Sequence, residues 1–244
     1  MKIQTFQKIR VTILTLSFIL FPVTLNYLSP VVSMMGAMAG IVTGSVMVFC
    51  GQFVIAMFLG RSFCSWLCPG GALGDQVSQA RKKRLPVRRV AWIKYAVWIP
   101  WLGMLLYFFR RAGGVQALRF GYGTQGGLSV TGAPALVAYT LVVLTFFLMS
   151  LIVGRRAGCH ILCWMAPFMI LGRKLGLALR MPSLRLVTRP ESCVSCGRCT
   201  SACPMSLDVQ TLVQAGRITD NNCILCGRCI DTCKRNTITW GWRS

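Results

Sequence analysis

Eight cysteines near the carboxyl end of this 244-residue chain fall into two runs of one spacing. "CVSCGRCTSACP" supplies Cys193, Cys196, Cys199 and Cys203, and "CILCGRCIDTCK" supplies Cys223, Cys226, Cys229 and Cys233. Each reads C-x2-C-x2-C-x3-C, a spacing that holds [4Fe–4S] clusters. Three closely set thiolates wrap three irons of one cubane, and the fourth cysteine crosses to ligate the other cluster. Cys193, Cys196, Cys199 and Cys233 are therefore assigned to one cluster, and Cys223, Cys226, Cys229 and Cys203 to the second. Structural zinc takes its ligands more often as two pairs than as two runs of four. Arg198 and Arg228 occupy matching places inside the runs, where positive charge is expected to raise the cluster potentials. The second run ends in Lys234 where the first has Pro204, which removes no ligand.

Four further cysteines form two C-x3-C pairs, Cys64 with Cys68 in "GRSFCSWLCPGGALG" and Cys159 with Cys163 in "GRRAGCHILCWMAPFMILG". At i, i+4 on a helix both thiols of a pair face one way, too far apart for a relaxed disulfide. Brought together, the four would make a possible third cluster or metal site, with Arg61, Arg155 and Arg156 beside them to favour thiolates. A redox role for the thiols, or simple packing at crowded helix ends, stays open at this stage. The thirteenth cysteine, Cys50, stands alone in an apolar stretch and reads as a small buried hydrophobe. His160 is the single histidine and Asp75 the single acid before Glu191. Both are candidate proton acceptors if a quinol is oxidised here. One histidine excludes bis-histidine haem, and the glycines of "GYGTQGG" lack the strand and helix of a nucleotide-binding fingerprint.

The elements that must position these residues are apolar. Hydrophobic residues make up 55% of the chain and the mean hydropathy is +0.60, a membrane composition. Four stretches near the ~20 residues that a span requires lie at about Val11–Leu28, Ala37–Leu59, Val90–Phe109 and Ala133–Val153. With four spans, 24 of the 27 Lys and Arg fall on one side, against Arg110, Arg111 and Arg119 on the other. Both termini are therefore expected on the cytoplasmic face of a bacterial or archaeal inner membrane, where thiols stay reduced. The net charge of +22 is concentrated in clusters abutting helix ends, such as "RKKRLPVRR", so lipid headgroups rather than nucleic acid are the expected partners. "FMILGRKLGLALRM" is expected to lie along the interface as an amphipathic linker or to extend the fourth helix.

The expected fold is thus an all-α membrane protein. Residues 1–180 hold four transmembrane helices as two parallel hairpin repeats, each ending in Gly-Arg and C-x3-C. Residues 181–244 form a small C-terminal bacterial-ferredoxin-like 2[4Fe–4S] domain, too poor in large apolar residues to fold without its metal.

Four spans, two GR-C-x3-C motifs and a double-cubane tail together resemble the NapH/NosR/MauN group of membrane polyferredoxins. The resemblance covers almost the whole chain. Cys64, Cys68 and Pro69 match that group's C-x3-C-P, whereas Trp164 follows Cys163 in the second copy and proline arrives only at Pro167. The resemblance implies electron transfer between the quinone pool and another redox protein or reductase complex, as in quinol dehydrogenase subunits. It also admits a copper-reducing oxidase assembly factor, and a non-catalytic redox sensor or scaffold is the third reading.

Overall fold

The computed structural model describes residues 3–80 and 83–243. Arg81 and Lys82 of the basic run, the first two residues and Ser244 lie outside the described residues. The helices that matter to the site, in chain order, are α1 (Ile3–Ile19), α2 (Pro30–Met38), α3 (Gly44–Leu59), α4 (Ser62–Trp66), α5 (Pro69–Ala80), α6 (Ile93–Arg111), α7 (Ala133–Ile152), α8 (Ala157–Ile161), α9 (Met165–Ala178), α10 (Arg198–Ala202), α11 (Val209–Gln214) and α12 (Arg228–Thr232). The strands are β1 (Ile41–Thr43), β2 (Ala117–Arg119), β3 (Ser183–Thr188) and β4 (Ile238–Arg243).

Four uniform spans are not what forms. Two helical stretches among the described residues are long and apolar enough to cross a membrane, Val87–Arg111 and Ala133–Ile152. The second has a mean hydropathy of 2.4 and only 6% of it is buried in the protein, as suits a helix facing lipid rather than a soluble core. The expected first span breaks after Ile19 into the short turns Phe21–Thr24 and Asn26–Leu28, with Pro22 opening the first of them. The expected second span is cut at Gly40, whose φ of +67° ends α2 and admits β1 before the sixteen-residue α3 starts. Proline lacks the amide a continuing helix needs, and glycine alone takes that backbone angle freely.

Nor is the chain all-α. β1 and β2 pair in parallel, and β3 and β4 pair antiparallel from Ser183↔Arg243 to Thr188↔Ile238. The second ladder brackets the eight tail cysteines, closing the polypeptide on itself before the first run and after the second.

The segment expected as an interfacial linker belongs to the core. α9 is a separate helix packed along α3, and the approach is close because Gly172 and Gly176 carry no side chain. A Cβ at Gly172 would stand 2.1 Å from the Phe53 carbonyl oxygen, and one at Gly176 2.5 Å from that of Met57. One apolar cluster runs from Phe49 and Ala56 of α3 through the four paired cysteines and Met169 to Met205, Ile224 and Leu225 of the tail.

Candidate functional site

The two C-x3-C motifs fold as copies of each other. In each, a five-residue helix (α4, α8) carries the first cysteine, and the second lies just past its end. The Cys64 amide donates to the Arg61 carbonyl at 3.1 Å and the Cys159 amide to that of Arg156 at 3.0 Å. The Cys68 amide donates back to Phe63 O at 3.0 Å, and the Cys163 amide to Gly158 O at 3.1 Å. The second cysteine of each pair is thus off the helix, not one turn along it as i, i+4 spacing suggests. All four thiols are buried, and burial, with the neighbouring Cys64 next in weight, pushes Cys163 up to about 12. Among the described residues no three His, Cys, Asp or Glu side chains converge closely enough to hold a single metal ion.

An apolar cavity of about 370 Å³ opens directly on this cysteine group. Cys68, Cys159 and Cys163 line it together with Phe21, Leu28, Val142, Phe146 and Trp164. Trp164, the residue that breaks the match with the first motif, donates its indole N–H to Leu28 O at 2.9 Å and so ties two of the lining residues together.

Asp75, expected as a proton acceptor, is instead the anion at the centre of three guanidiniums. Arg10 Nη2 lies 2.8 Å from Oδ2, Arg156 Nη2 2.8 Å from Oδ1, and Arg228 Nη2 3.2 Å from Oδ2. Arg10 and Arg156 are fully buried and also bind backbone carbonyls of the first motif, Ser65 O at 3.1 Å and Cys64 O at 3.2 Å. Burial alone would raise the Asp75 pKa, but Arg156, then Arg228 and Arg10, outweigh it and hold the carboxyl below its usual range. A carboxylate so held is a poor proton acceptor. These are the only carboxylate–cation pairs among the described residues. His160 fares no better as a base, since burial first, then Arg61, Lys94 and Arg156, lower it to about 3. A backbone hydrogen bond at Met205 opposes that shift without overcoming it.

In the tail the cysteines divide between two voids. Cys193, Cys196, Cys199 and Cys233 surround one cavity of about 190 Å³, and Cys203, Cys223, Cys226 and Cys229 line another, smaller void. The backbone around the two repeats itself. Ser195 and Leu225, each preceding the second cysteine of its run, are left-handed at φ +53° and +52°. Gly197 and Gly227 follow at +70° and +76°, and Ser206 and Asn236, three residues after each run's last cysteine, at +55° and +50°. A leucine in this region is rare and costs about 1–2 kcal/mol. Alternating hands turn successive amides toward one side, the concavity that receives anionic sulfur. Shape, donor chemistry and strain therefore fit a cubane in each void, and all thirteen cysteines are free of disulfides.

The two sets differ in setting. Cys203, Cys223, Cys226 and Cys229 are buried, whereas Cys196 is exposed and Cys193, Cys199 and Cys233 are half-buried. The buried set faces the rest of the chain. Gln7 of α1 donates to Cys226 O at 2.9 Å, Arg61 to Asn221 O at 3.2 Å, and Lys94 to Asn222 Oδ1 at 2.7 Å. Arg84 donates to Ser206 O and Leu207 O, and Arg155 to Ser201 O. Basic side chains expected at lipid headgroups or at thiolates thus hold the tail in place; Arg61 also reaches a thiol, its Nη2 3.9 Å from Cys64 Sγ, and Arg156 is the foremost charge favouring the thiolate at Cys159. Neither Arg10 nor Gln7 was singled out by the sequence, because what joins them to the first motif and the tail is packing.

Two families match the chain. One, described as a 4Fe-4S binding domain, covers residues 41–88, and the other, described as a 4Fe-4S dicluster domain, covers residues 185–234. Iron–sulfur character is therefore not confined to the tail, because the first match contains Cys64 and Cys68. The chain is 26% identical to YccM of Escherichia coli (strain K12) over 206 residues, 76% of this chain and 55% of that protein. It is 31% identical to the methylamine utilization ferredoxin-type protein MauN of Methylobacillus flagellatus over 152 residues, 61% of this chain and 50% of that one. It is 29% identical to the regulatory protein NosR of Pseudomonas aeruginosa over 176 residues, 65% of this chain and 22% of the relative. The chain thus spans about half the length of the first two relatives and less of NosR. No solved structure matches. With both iron–sulfur regions matched and ferredoxin-type proteins among its relatives, the chain is similar to the NapH/NosR/MauN-type polyferredoxins.

Proposed function

We propose that this chain is a membrane-bound iron–sulfur electron carrier that links a quinone, bound beside the four buried thiols, to a second redox protein met by the tail. The observation that carries this reading is the apolar cavity of about 370 Å³ lined by Cys68, Cys159 and Cys163. Its size falls within the roughly 300–1,000 Å³ of small-molecule sites, and its walls suit the ring and isoprenoid chain of a quinone. Cys193, Cys196, Cys199 and Cys233 would hold one [4Fe–4S] cluster, Cys203, Cys223, Cys226 and Cys229 a second, and the paired cysteines 64, 68, 159 and 163 a third centre. Bound there, such clusters supply one-electron storage. The protein's own contribution is placement: Arg10, Asp75 and Arg156 tie the two motifs together, and Arg228 adds the tail. Neither Asp75 nor His160 lines the cavity, so quinol protons are not handed to them. The two long apolar helices and the one-sided distribution of Lys and Arg support a multi-pass inner-membrane protein with both termini cytoplasmic. β3 and β4, paired around the eight cysteines, support a tail domain that begins near residue 181.

Filling the cavity tests this. Ala138→Trp with Val142→Trp, on helix α7, should abolish reduction of the tail by a menaquinol analogue while iron content and reduction by dithionite persist. Quinol reduction at the unaltered rate in that variant would rule the site out.

A second reading, reduction of a copper ion as substrate, draws on Met169, whose Sδ lies 3.9 Å from Cys64 Sγ, since thioether and thiol together favour Cu(I). Copper-dependent oxidation of the reduced protein, lost in Met169→Leu, is its distinguishing result.

A further inference from the structure

The two cysteine sets of the tail are not equivalent. The set containing Cys203 is buried against the rest of the chain, and its Arg228 is spent on Asp75. The set containing Cys196 faces outward, and the rim of its cavity carries Arg198, Lys234 and Arg235, all exposed. None of the three has a carboxylate partner among the described residues. Val194, 61% exposed, adds an apolar patch to the same rim. The exposed acids of the tail are Glu191 and Asp208, and the Asp208 oxygens accept from the Thr200 and Thr211 side chains. Three exposed cations without carboxylate partners, around an apolar contact beside a partly exposed cysteine set, form a surface whose complement is a protein face of opposite charge.

We infer that the rim formed by Arg198, Lys234, Arg235 and Val194 is the docking surface for an acidic one-electron carrier protein. This rests on the electron-transfer reading and adds to it the chemistry of the partner. Val194 supplies the desolvated centre of the contact, and the three cations supply steering and orientation. One electron passes per encounter from the reduced tail to the oxidised carrier, and no bond forms and no proton moves.

The test uses the full-length protein, assembled anaerobically in nanodiscs, with plastocyanin as an acidic one-electron probe and cytochrome c as a basic control. Calorimetry should find plastocyanin binding that weakens with added salt. Arg198→Glu, Lys234→Glu and Arg235→Glu together should weaken it by about tenfold or more at low ionic strength, within the range of electrostatic steering. Equal charge reversal at Arg110, Arg111 and Arg119, exposed residues that line none of the cysteine cavities, should leave it nearly unchanged. The neutral set Arg198→Gln, Lys234→Gln and Arg235→Gln guards against misassembly and should give an intermediate loss. Fading of the blue copper colour after mixing with dithionite-reduced protein should follow the same order. If both reversal sets weaken binding equally, the effect is net charge and no docking surface exists there; tighter binding of cytochrome c than of plastocyanin overturns the proposal likewise. Clusters that assemble and reduce a small neutral acceptor while plastocyanin fails to bind would sink the docking surface alone. Protein that never assembles clusters would sink the electron-transfer reading and this surface with it.

Discussion

Asp75 Oδ2 accepts a hydrogen bond from Arg228 Nη2 at 3.2 Å across 153 residues of chain, joining the first C-x3-C motif to the heart of the second cysteine run. Arg228 stands between Cys226 and Cys229, so the pair places a compensated charge beside one tail set. Its counterpart Arg198 points to solvent. Two arginines at equivalent places in a repeat therefore do different work.

Changing either partner should move the potential of the buried set in opposite directions. Asp75→Asn leaves Arg228 unpaired and should raise it, whereas Arg228→Gln removes a cation and should lower it, as net charge near a cluster dictates. The exposed set should be little affected. Redox-titrated EPR on full-length protein reads both values, and shifts of the same sign would show disruption rather than charge.

Asp75→Ala should also be costly in stability, by about 3–5 kcal/mol, because it strands Arg10 and Arg156 as buried unpaired cations. Thermal or urea unfolding of the detergent-solubilised protein measures this. Since the folded Asp75 pKa lies below its ordinary value, its contribution is present in full above about pH 4 and is lost as pH falls through the folded pKa. Stability attributable to Asp75 should thus be flat from neutral pH down to about 4, and the difference between wild type and Asp75→Asn should narrow only below it.

Cys203→Ser should damage the set of Cys223, Cys226 and Cys229, and spare the one that starts at Cys193. Cys203 shares its void with the later run, and Cys233 shares its cavity with the earlier one. EPR of the reduced variant distinguishes the two, and loss of the earlier set's signal would reverse the ligand assignment.

Replacing Cys64, Cys68, Cys159 and Cys163 together with Ser should remove metal beyond the about eight irons, two cubanes of four, that the tail accounts for. If the lost metal is a cluster, iron and sulfide should fall in equal amounts. Full-length protein that never carries more iron than the quadruple variant would show that these thiols hold none.

Gly197→Ala and Gly227→Ala differ by one neighbour. Both force a Cβ into left-handed backbone, at about 1–2 kcal/mol each. At Gly197 the nearest atom is Gln210 Oε1 at 3.5 Å, whereas at Gly227 the new Cβ meets Trp240 Cζ2 at 2.9 Å and Phe6 Cε1 at 3.2 Å. Gly227→Ala should therefore cost more stability and loosen the tail from α1, seen as faster proteolysis at β4.

The cysteine runs were readable from the chain alone because cluster ligation is a local constraint. Three ligands within seven residues impose their spacing whatever surrounds them, and even the crossed fourth cysteine follows from that pattern. The C-x3-C repeat was legible as a duplicated sequence, but its geometry was not, since the second cysteine of each pair lies past the end of its short helix. Membrane span number was not, because composition averages over Pro22 and Gly40, and it is those residues that break the first two apolar stretches. What Asp75, Arg84 and Arg155 do was hidden too. A charged side chain's partner is chosen by whichever element packs against it, here α1, α8 and the tail. Sequence alone determined the spacing that makes eight tail cysteines candidate cluster ligands; only tertiary packing decided that one tail set is buried against an ion-paired hub and the other left open, because burial and pairing depend on neighbours tens of residues away.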